Sequence, residues 1–481
     1  MENRTDLSNQ EVEKVIKDFI KDYFVFRQNL KNENVVENID EQQLKKVKTM
    51  TIPKRGRSLE EVTKEMNESI YKYGYNVNHP RYFGFIPGPS STLSLLGDVM
   101  TSAYNRHAGS WTTFPAGCHI ENELIQWLCQ QANYPKSASG VFVSGGSMAN
   151  MTALTIARDT ILKEDQWHKG VAYVSNQTHS SVAKGLRIIG IGNSRIRKIE
   201  TDKNFCMNVD QLEEMIKKDK ENGLIPFVII ASAGTTNTGS IDDFEKISKL
   251  CQKYHMWMHA DGAFGASVLL SKKHKDLLKG IEKADSISWD GHKWLFQTYA
   301  CGIVLVKEKR QMLKSFSVHP EYLQDLEMDE TYFNPWDMSM ELTRPARGLK
   351  LWLTLQVMGS DAIDHGFEIA DIAEKQLQKC KDIEFISHSH MGIVNFRFSP
   401  ENYSNEEKDK INHEISMRIV NSGYAGVFTT QLQGKTVLRI CSLHPETTKE
   451  DMDYVVDNIK EIVTKLRTMS PLYEDFVKKN N

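Results

Sequence analysis

The chain has 481 residues, 40% of them hydrophobic and 26% charged, with a formal net charge of −3. That length and composition belong to a globular protein with a sizeable core in two or three packed domains, and they give no overall pull toward nucleic acid or an anionic membrane. Seven scattered cysteines without a C-x-x-C pair read as reduced thiols, not as a disulfide framework.

The start, "MENRTDLSNQEVEK", is polar and has no signal-peptide apolar core, and no run of 18 apolar residues follows, so a soluble, cytoplasmic chain without a membrane span is expected. Residues 8–48 show helical spacing, with Val12, Val15, Ile16, Phe19, Ile20 and Phe24 on one face. Ser58, with Glu61 three residues later, reads as the N-cap of a further helix. "HPRYFGFIPGPSS", 79–91, carries three prolines and two glycines and predicts an ordered loop or a boundary. From about residue 92, helical stretches alternate with the short apolar runs "GVFVS", "VAYVS", "IPFVIIAS", "MWMHA", "DSISW" and "CGIVLV". This alternation predicts an α/β fold with a mostly parallel sheet covered on both faces. The segment 320–337 is acidic, aromatic and non-periodic, as suits a functional loop. Beyond "ELTRPARGLKLWLTLQVMG" the strands "IVNFRFS" and "KTVLRICS" and a last helix from about 447 predict a smaller α+β domain.

Chemistry-bearing residues gather at the ends of the predicted strands. "VFVSGGSMAN", 141–150, reads as strand, glycine turn and helix start, a place for an anion on free amides, although it lacks the Walker A lysine and the G-x-G-x-x-G spacing. "SNQTHSSVAKG", 175–185, offers His179, able to stack on a flat ligand or exchange protons. "ASAGTTNTGSIDD", 231–243, is a threonine-rich turn, and "HADGAFGAS", 259–267, puts Asp261 at a strand end facing the crevice where such sheets bind ligands. His255 and His259 are four apart on a strand and do not make a zinc motif, so no metal is expected. Finally, "SWDGHKWLFQTY" places Lys293 between His292 and Trp294, and a lysine in a dry pocket is a Schiff-base nucleophile. Each signal is modest alone. In this order they describe a phosphate cradle, a stacking imidazole, a carboxylate for a cationic ring nitrogen and an imine-forming lysine, which together make a pyridoxal phosphate site.

Over roughly residues 10–465 the sequence resembles the group II pyridoxal-phosphate-dependent amino acid decarboxylases, of the fold type I aminotransferase-like superfamily. Within that group it is most similar to the bacterial aromatic amino acid decarboxylases. The motifs "HPRYFGFIPGPSS", "SGGSMAN", "QTHSSVAKGLRIIG", "AGTTNTGSIDD", "HADGAFGAS" and "SWDGHKWLFQTY" stand in the family's order. The resemblance implies pyridoxal 5'-phosphate as cofactor, with Lys293 binding its aldehyde, Asp261 holding the pyridine nitrogen protonated and His179 stacking on the ring. It gives Gly146, Ser147 and His292 to the phosphate, Thr236 to the cofactor or its polar neighbours, and Ala263 to the ring's other face. The resemblance also makes Tyr322, in "HPEYLQD", the loop tyrosine expected to protonate the carbon left when CO2 departs; a phenylalanine there would imply an aldehyde-forming relative.

The implied activity is decarboxylation of aromatic L-amino acids to amines, with breadth across tryptophan, phenylalanine, tyrosine and hydroxylated analogues. Phe85, Ile86, His107 and Trp336 fall at the aromatic-binding positions. A glutamate decarboxylase is the alternative, which Arg81 or Arg106 would have to serve as a clamp for the distal carboxylate; both are expected on the surface. The resemblance also implies a homodimer with a shared site. It divides the chain into a helical segment packing on the partner over 1–80, a large cofactor domain over 81–345 and a small domain over 346–481. Two departures stand out. Asp290-Gly291 precede the His-Lys pair where many eukaryotic relatives have Asn-Pro, and Gly88 stands where eukaryotic aromatic decarboxylases have a threonine.

Overall fold

The computed structural model describes residues 8–318, 332–360 and 363–468. The predicted apolar runs become strands of one seven-stranded sheet: β1 (Ser139–Val143), β2 (Gly170–Ser175), β4 (Ile225–Ser232), β5 (Trp257–Asp261), β6 (Ser286–Asp290) and β7 (Gly302–Val306), with β3 (Ile196–Ile199) at one edge. The order across the sheet is β1-β7-β6-β5-β4-β2-β3. Only β7 runs against its neighbours, pairing antiparallel with both β1 and β6.

Every residue of β1, β2, β5, β6 and β7 is buried, because helices cover both faces of the sheet. Strand alternation divides the side chains. Phe142, Tyr173, Ile229, Met258 and Ile287 join the core on one face, whereas Val141, Ala172, Val228, Trp257 and Val304 join that on the other. The second core is closed by Ala149, Ala153, Leu154 and Ala157 of the helix Gly146–Ile161, which runs behind the strand ends that carry the motifs.

The smaller unit is an antiparallel sheet of β8 (Ile383–His390), β9 (Ile393–Phe398), β10 (Phe428–Leu432) and β11 (Lys435–Cys441), in the order β8-β9-β11-β10. Helices Asp364–Leu377, Asn405–Asn421 and Lys449–Thr468 pack on it around Phe396, Leu438, Ile415 and Val456.

The helical spacing expected over 8–48 is broken. One helix covers Asn9–Gln28 and a second Glu41–Lys48, because Val35 and Val36 between them are pulled into a small core with Tyr82 and Val420. The first of these helices buries none of its residues in this chain. Ser58 does cap the helix Leu59–Met66, its hydroxyl accepting from the Glu61 amide at 3.2 Å. Among the described residues no helix is long and apolar enough to cross a membrane.

The proline-rich loop 79–91 is anchored on the small domain. His444 Nε2 donates to Asn78 O at 2.9 Å and Thr447 Oγ1 donates to Pro80 O at 2.6 Å. Burial pushes His444 down to about 3 and His79 down to about 4, so both stand neutral in the folded chain. An unfolded histidine, near 6.5, binds its proton earlier than these do. The folded state therefore carries fewer protons, and stability falls as pH drops from about 6.5 toward 4, by roughly 1.4 kcal/mol per pH unit for each histidine. The melting temperature should decline from pH 7 to pH 5, and His444→Gln should flatten part of that decline. An identical slope in the variant would contradict the assignment.

Candidate active site

β1 ends at Val143, and Ser144-Gly145 turns the chain into the helix Gly146–Ile161. Gly302 opens β7 directly beside this turn. A Cβ on Gly302 would lie 2.4 Å from Gly145 Cα, so the two backbones touch and only glycine fits. On the other side, a Cβ on Gly145 would meet His292 Cε1 at 3.2 Å, and one on Gly146 would meet Asp290 Oδ2 at 2.7 Å. The helix begins without a side-chain cap, with Ser147 exposed beside it, which leaves the amides of its first turn open to an anion.

Asp261 closes β5 and is 7% exposed. Its carboxylate accepts three hydrogen bonds, from Asn150 Nδ2 at 3.1 Å, Ser288 Oγ at 3.3 Å and Ala263 N at 3.2 Å. Asn150 comes from the helix that follows the glycine turn, and its Oδ1 lies 3.0 Å from Nε2 of buried His259. His179 caps the helix Ser180–Ile188: its Nδ1 accepts from the Ser181 amide at 3.2 Å and lies 2.8 Å from Ser181 Oγ.

Lys293 follows β6, in a turn held by Gly291 N donating to Cys301 O at 2.7 Å. Its Nζ is 3.1 Å from Asp290 Oδ2, and His292 Nε2 is 3.6 Å from the same oxygen. Asp290 is 1% exposed and its Oδ1 has no hydrogen-bond partner among the described residues. Burial lowers the pKa of His292, with the Asp290 carboxylate pulling it back up. Gly88 packs on this turn, for a Cβ there would lie 2.2 Å from His292 O. A threonine would not fit at that position with this backbone.

Lys293, Asp261, His179, Thr236 and Ala263 line one pocket, together with Gln177, Ser232, Gly234, Thr235 and Phe264. Gly146, Ser147 and His292 adjoin it through the glycine turn and Asp290. The lining does not include Phe85, Ile86, His107 or Trp336. Phe85 is 63% exposed, and its ring faces Phe428, with centroids 5.8 Å apart. Ile86 packs against the main core. His107 and Trp336 face each other with centroids 6.1 Å apart. Tyr322 lies outside the described residues. Arg106 is exposed as expected, but Arg81 is partly buried. Its Nε donates to Tyr424 O at 2.9 Å, it pairs with Asp451 at 3.8 Å, and its guanidinium sits over the Tyr424 ring. These bonds tie the loop at 81 to the small domain and leave Arg81 no role as a substrate clamp.

Open amides for a phosphate, an amine for an aldehyde, a well-donated carboxylate for a ring-nitrogen proton and a small Ala263 beside the pocket fit pyridoxal 5'-phosphate. Residues 41–399 match the pyridoxal-dependent decarboxylase conserved domain. The chain belongs to this decarboxylase family. An aromatic-L-amino-acid decarboxylase of Bacillus atrophaeus is 38% identical to it, the match covering 92% of this chain and 93% of the other. A tryptophan decarboxylase of Oryza sativa subsp. japonica is 28% identical over 93% of each. The crystal structure of Oryza sativa TDC with PLP and tryptamine superposes with a TM-score of 0.90 at 24% identity, covering 96% of this chain and 99% of that one, which shows the shared fold. The decarboxylase thus has the fold type I architecture, takes an amino acid as substrate and uses pyridoxal 5'-phosphate.

Four residues of the decarboxylase's site were given no part in it from the sequence: Asn150, His259, Ser288 and Arg439. Two left a signal. His259 and Asp261 are two apart on one strand and so face the same side, and Asn150 is one helical turn beyond Gly146. Arg439, from β11, donates to Phe85 O, to Thr236 O at 2.6 Å and to Asn237 O at 3.1 Å. Carbonyl oxygens satisfy its N–H groups without neutralising its charge, and nothing in "KTVLRICS" announces that reach. Gly302→Ala tests the cradle: the added Cβ meets backbone that cannot swing away, and about ten- to hundred-fold weaker cofactor binding is expected in a fluorescence titration. An unchanged affinity in a folded variant would refute the tight backbone contact.

Proposed function

We propose that the protein decarboxylates aromatic L-amino acids to the corresponding amines and CO2, working as a homodimer with a shared site. The observation that carries the reading is the convergence of Lys293, paired with Asp290, and Asp261, held by three donors, on a single pocket beside an uncapped helix start. The bound cofactor supplies the electron sink for the pair of electrons released when CO2 leaves. Lys293 Nζ would hold that cofactor through its aldehyde. Asp261 would keep a proton on the pyridine nitrogen, and His179 would pack beside the ring. Gly146, Ser147 and His292 hold the phosphate, with Thr236 and Ala263 on the flanks. Tyr322 delivers the proton to the carbon that CO2 vacates.

The aromatic preference is supported by the similarity to the Bacillus enzyme and by the exposed Phe85 ring, which extends an aromatic wall of Phe428 and Tyr75 next to Arg439. The substrate carboxylate gives Arg439 the countercharge that its carbonyl partners do not provide. With Arg81 engaged elsewhere, glutamate lacks a distal clamp from that residue. A dimer is supported by apolar surface that a second copy would cover. Ile16, Phe19 and Val25 are 54%, 48% and 50% exposed on the first helix, and Leu96, Val99 and Met100 are 48%, 46% and 49% exposed on the helix Thr92–Tyr104 that leads to His107. His107 and Trp336 would then complete the partner's pocket.

A panel of phenylalanine, tryptophan, DOPA and glutamate with amine detection should give higher kcat/KM for the aromatic three, and dominant glutamate turnover would overturn the reading. Tyr322→Phe is expected to replace amine by aldehyde, ammonia and peroxide; an unchanged amine yield would remove Tyr322 from the proton step. Arg439→Met should raise KM about tenfold for every amino acid alike. A KM equal to that of the parent would take Arg439 out of the site.

A further inference from the structure

Behind Asp261 a line of buried polar groups crosses from β6 through β5 to the helix Gly146–Ile161. Trp257 Nε1 donates to Ser286 Oγ at 2.8 Å, and Ser286 Oγ is 2.9 Å from His259 Nδ1. His259 Nε2 is 3.0 Å from Asn150 Oδ1, while Asn150 Nδ2 reaches both Asp261 Oδ2 and Ser181 Oγ at 3.1 Å. Ser181 Oγ in turn is 2.8 Å from His179 Nδ1. Trp257, Ser286, His259, Asn150, Asp261 and Ser181 are all buried, His259 and Ser286 completely.

The direction of every bond in this line follows from its two ends. An indole N–H can only donate and a carboxylate can only accept. Asn150 must therefore turn its NH2 group to Asp261, which leaves its carbonyl facing His259, so His259 carries its proton on Nε2. Nδ1 is then an acceptor for the Ser286 hydroxyl, whose oxygen takes the Trp257 N–H. At the other end, the second Asn150 N–H occupies Ser181 Oγ, whose hydrogen is directed to His179 Nδ1. That nitrogen already accepts the Ser181 amide at 3.2 Å, so the proton of a neutral His179 sits on Nε2. Burial pushes His259 down to about 4, which keeps it in the neutral form that this wiring needs.

We infer that His259 is a positioning residue of this decarboxylase: by locking the amide of Asn150 it fixes the hydrogen bonding of Asp261 and His179, on two sides of the cofactor pocket, with one side chain. Reversal of that amide would turn a carbonyl oxygen toward the Asp261 carboxylate and would withdraw the donor that orders Ser181 and His179. His259 itself touches neither cofactor nor substrate. The inference rests on Asp261 acting on the pyridine nitrogen, as proposed above.

The test compares His259→Leu, His259→Gln, Asn150→Ala and the double variant Asn150→Ala/His259→Leu, with Asp261→Asn as a separate arm. The readouts are the affinity for pyridoxal 5'-phosphate, the visible absorbance of the bound cofactor, and the histidine tautomers by long-range 1H–15N correlation in cofactor-free protein. We expect a His259 signal of the Nε2–H tautomer, at least about tenfold weaker cofactor binding and an altered absorbance band in His259→Leu, and near-parent behaviour in His259→Gln, whose amide can still donate to Asn150. Asn150→Ala should match His259→Leu, and the double variant should be no worse than either, because they break one line. An Nδ1–H tautomer would overturn the inference, as would parent-like binding and absorbance in His259→Leu or additive losses in the double variant. Equal losses in His259→Leu and His259→Gln would reduce His259 to a packing role and overturn it too. If Asp261→Asn leaves affinity and absorbance unchanged, the assignment of Asp261 fails instead, and the tautomer result still decides the wiring.

Discussion

Where β7 enters the sheet it runs antiparallel between β1 and β6, and its first residue, Gly302, is paired with Val143 on one side and Asp290 on the other. There it presses on Gly145 so closely that Gly302 cannot carry a side chain at the contact. This approach sets the distance between the glycine turn after β1 and the lysine turn after β6. A phosphate cradle and an amine are useful together only at a fixed separation, and sheet pairing holds both ends of that separation. The parallel strands β5, β4 and β2 then bring Asp261, the threonine turn and His179 to the same edge, because parallel strands put all their carboxyl ends on one side.

The small domain takes part in holding the site. Trp294, the residue after Lys293, is buried with its ring between Phe264 of the large domain, at 6.0 Å, and Phe367 of the small domain, at 5.3 Å. Arg439 reaches from β11 to the loops at Phe85 and Thr236. Both contacts join the lysine turn and the pocket's flanks to a unit that contains none of the strand-end motifs. Displacement of the small domain would thus be felt at Lys293 through packing and at the Phe85 loop through a charged donor.

The strands of the large sheet were legible because they are short, apolar and separated by helices, which is what burial on both faces requires. The edge strand Ile196–Ile199 was not: "IRKI" is half exposed and carries two charges, so its composition does not announce a strand. β8 escaped for a related reason, since "IEFISHSH" is polar, partly exposed and irregular in register. In the site, the glycine turn, Asp261, His179 and Lys293 could be read because each residue type matches a chemical task at a strand end. The supporting residues could not be read as a group. His259, Asn150 and Ser181 are far apart in sequence, and only the sheet and the helix behind it bring them into one line.

Asp290 is the residue whose place in the motif made least sense from sequence, since a carboxylate beside a phosphate cradle is repelled unless a cation answers it. Two cations do. Lys293 Nζ stands 3.1 Å and His292 Nε2 3.6 Å from the same oxygen. In the chain as it stands, lysine and aspartate neutralise each other in a buried turn, where either charge alone would be costly. Burial opposes protonation of His292 and the Asp290 carboxylate favours it. An asparagine at 290 would give His292 no such pull, so the aspartate offsets part of what burial costs a protonated imidazole.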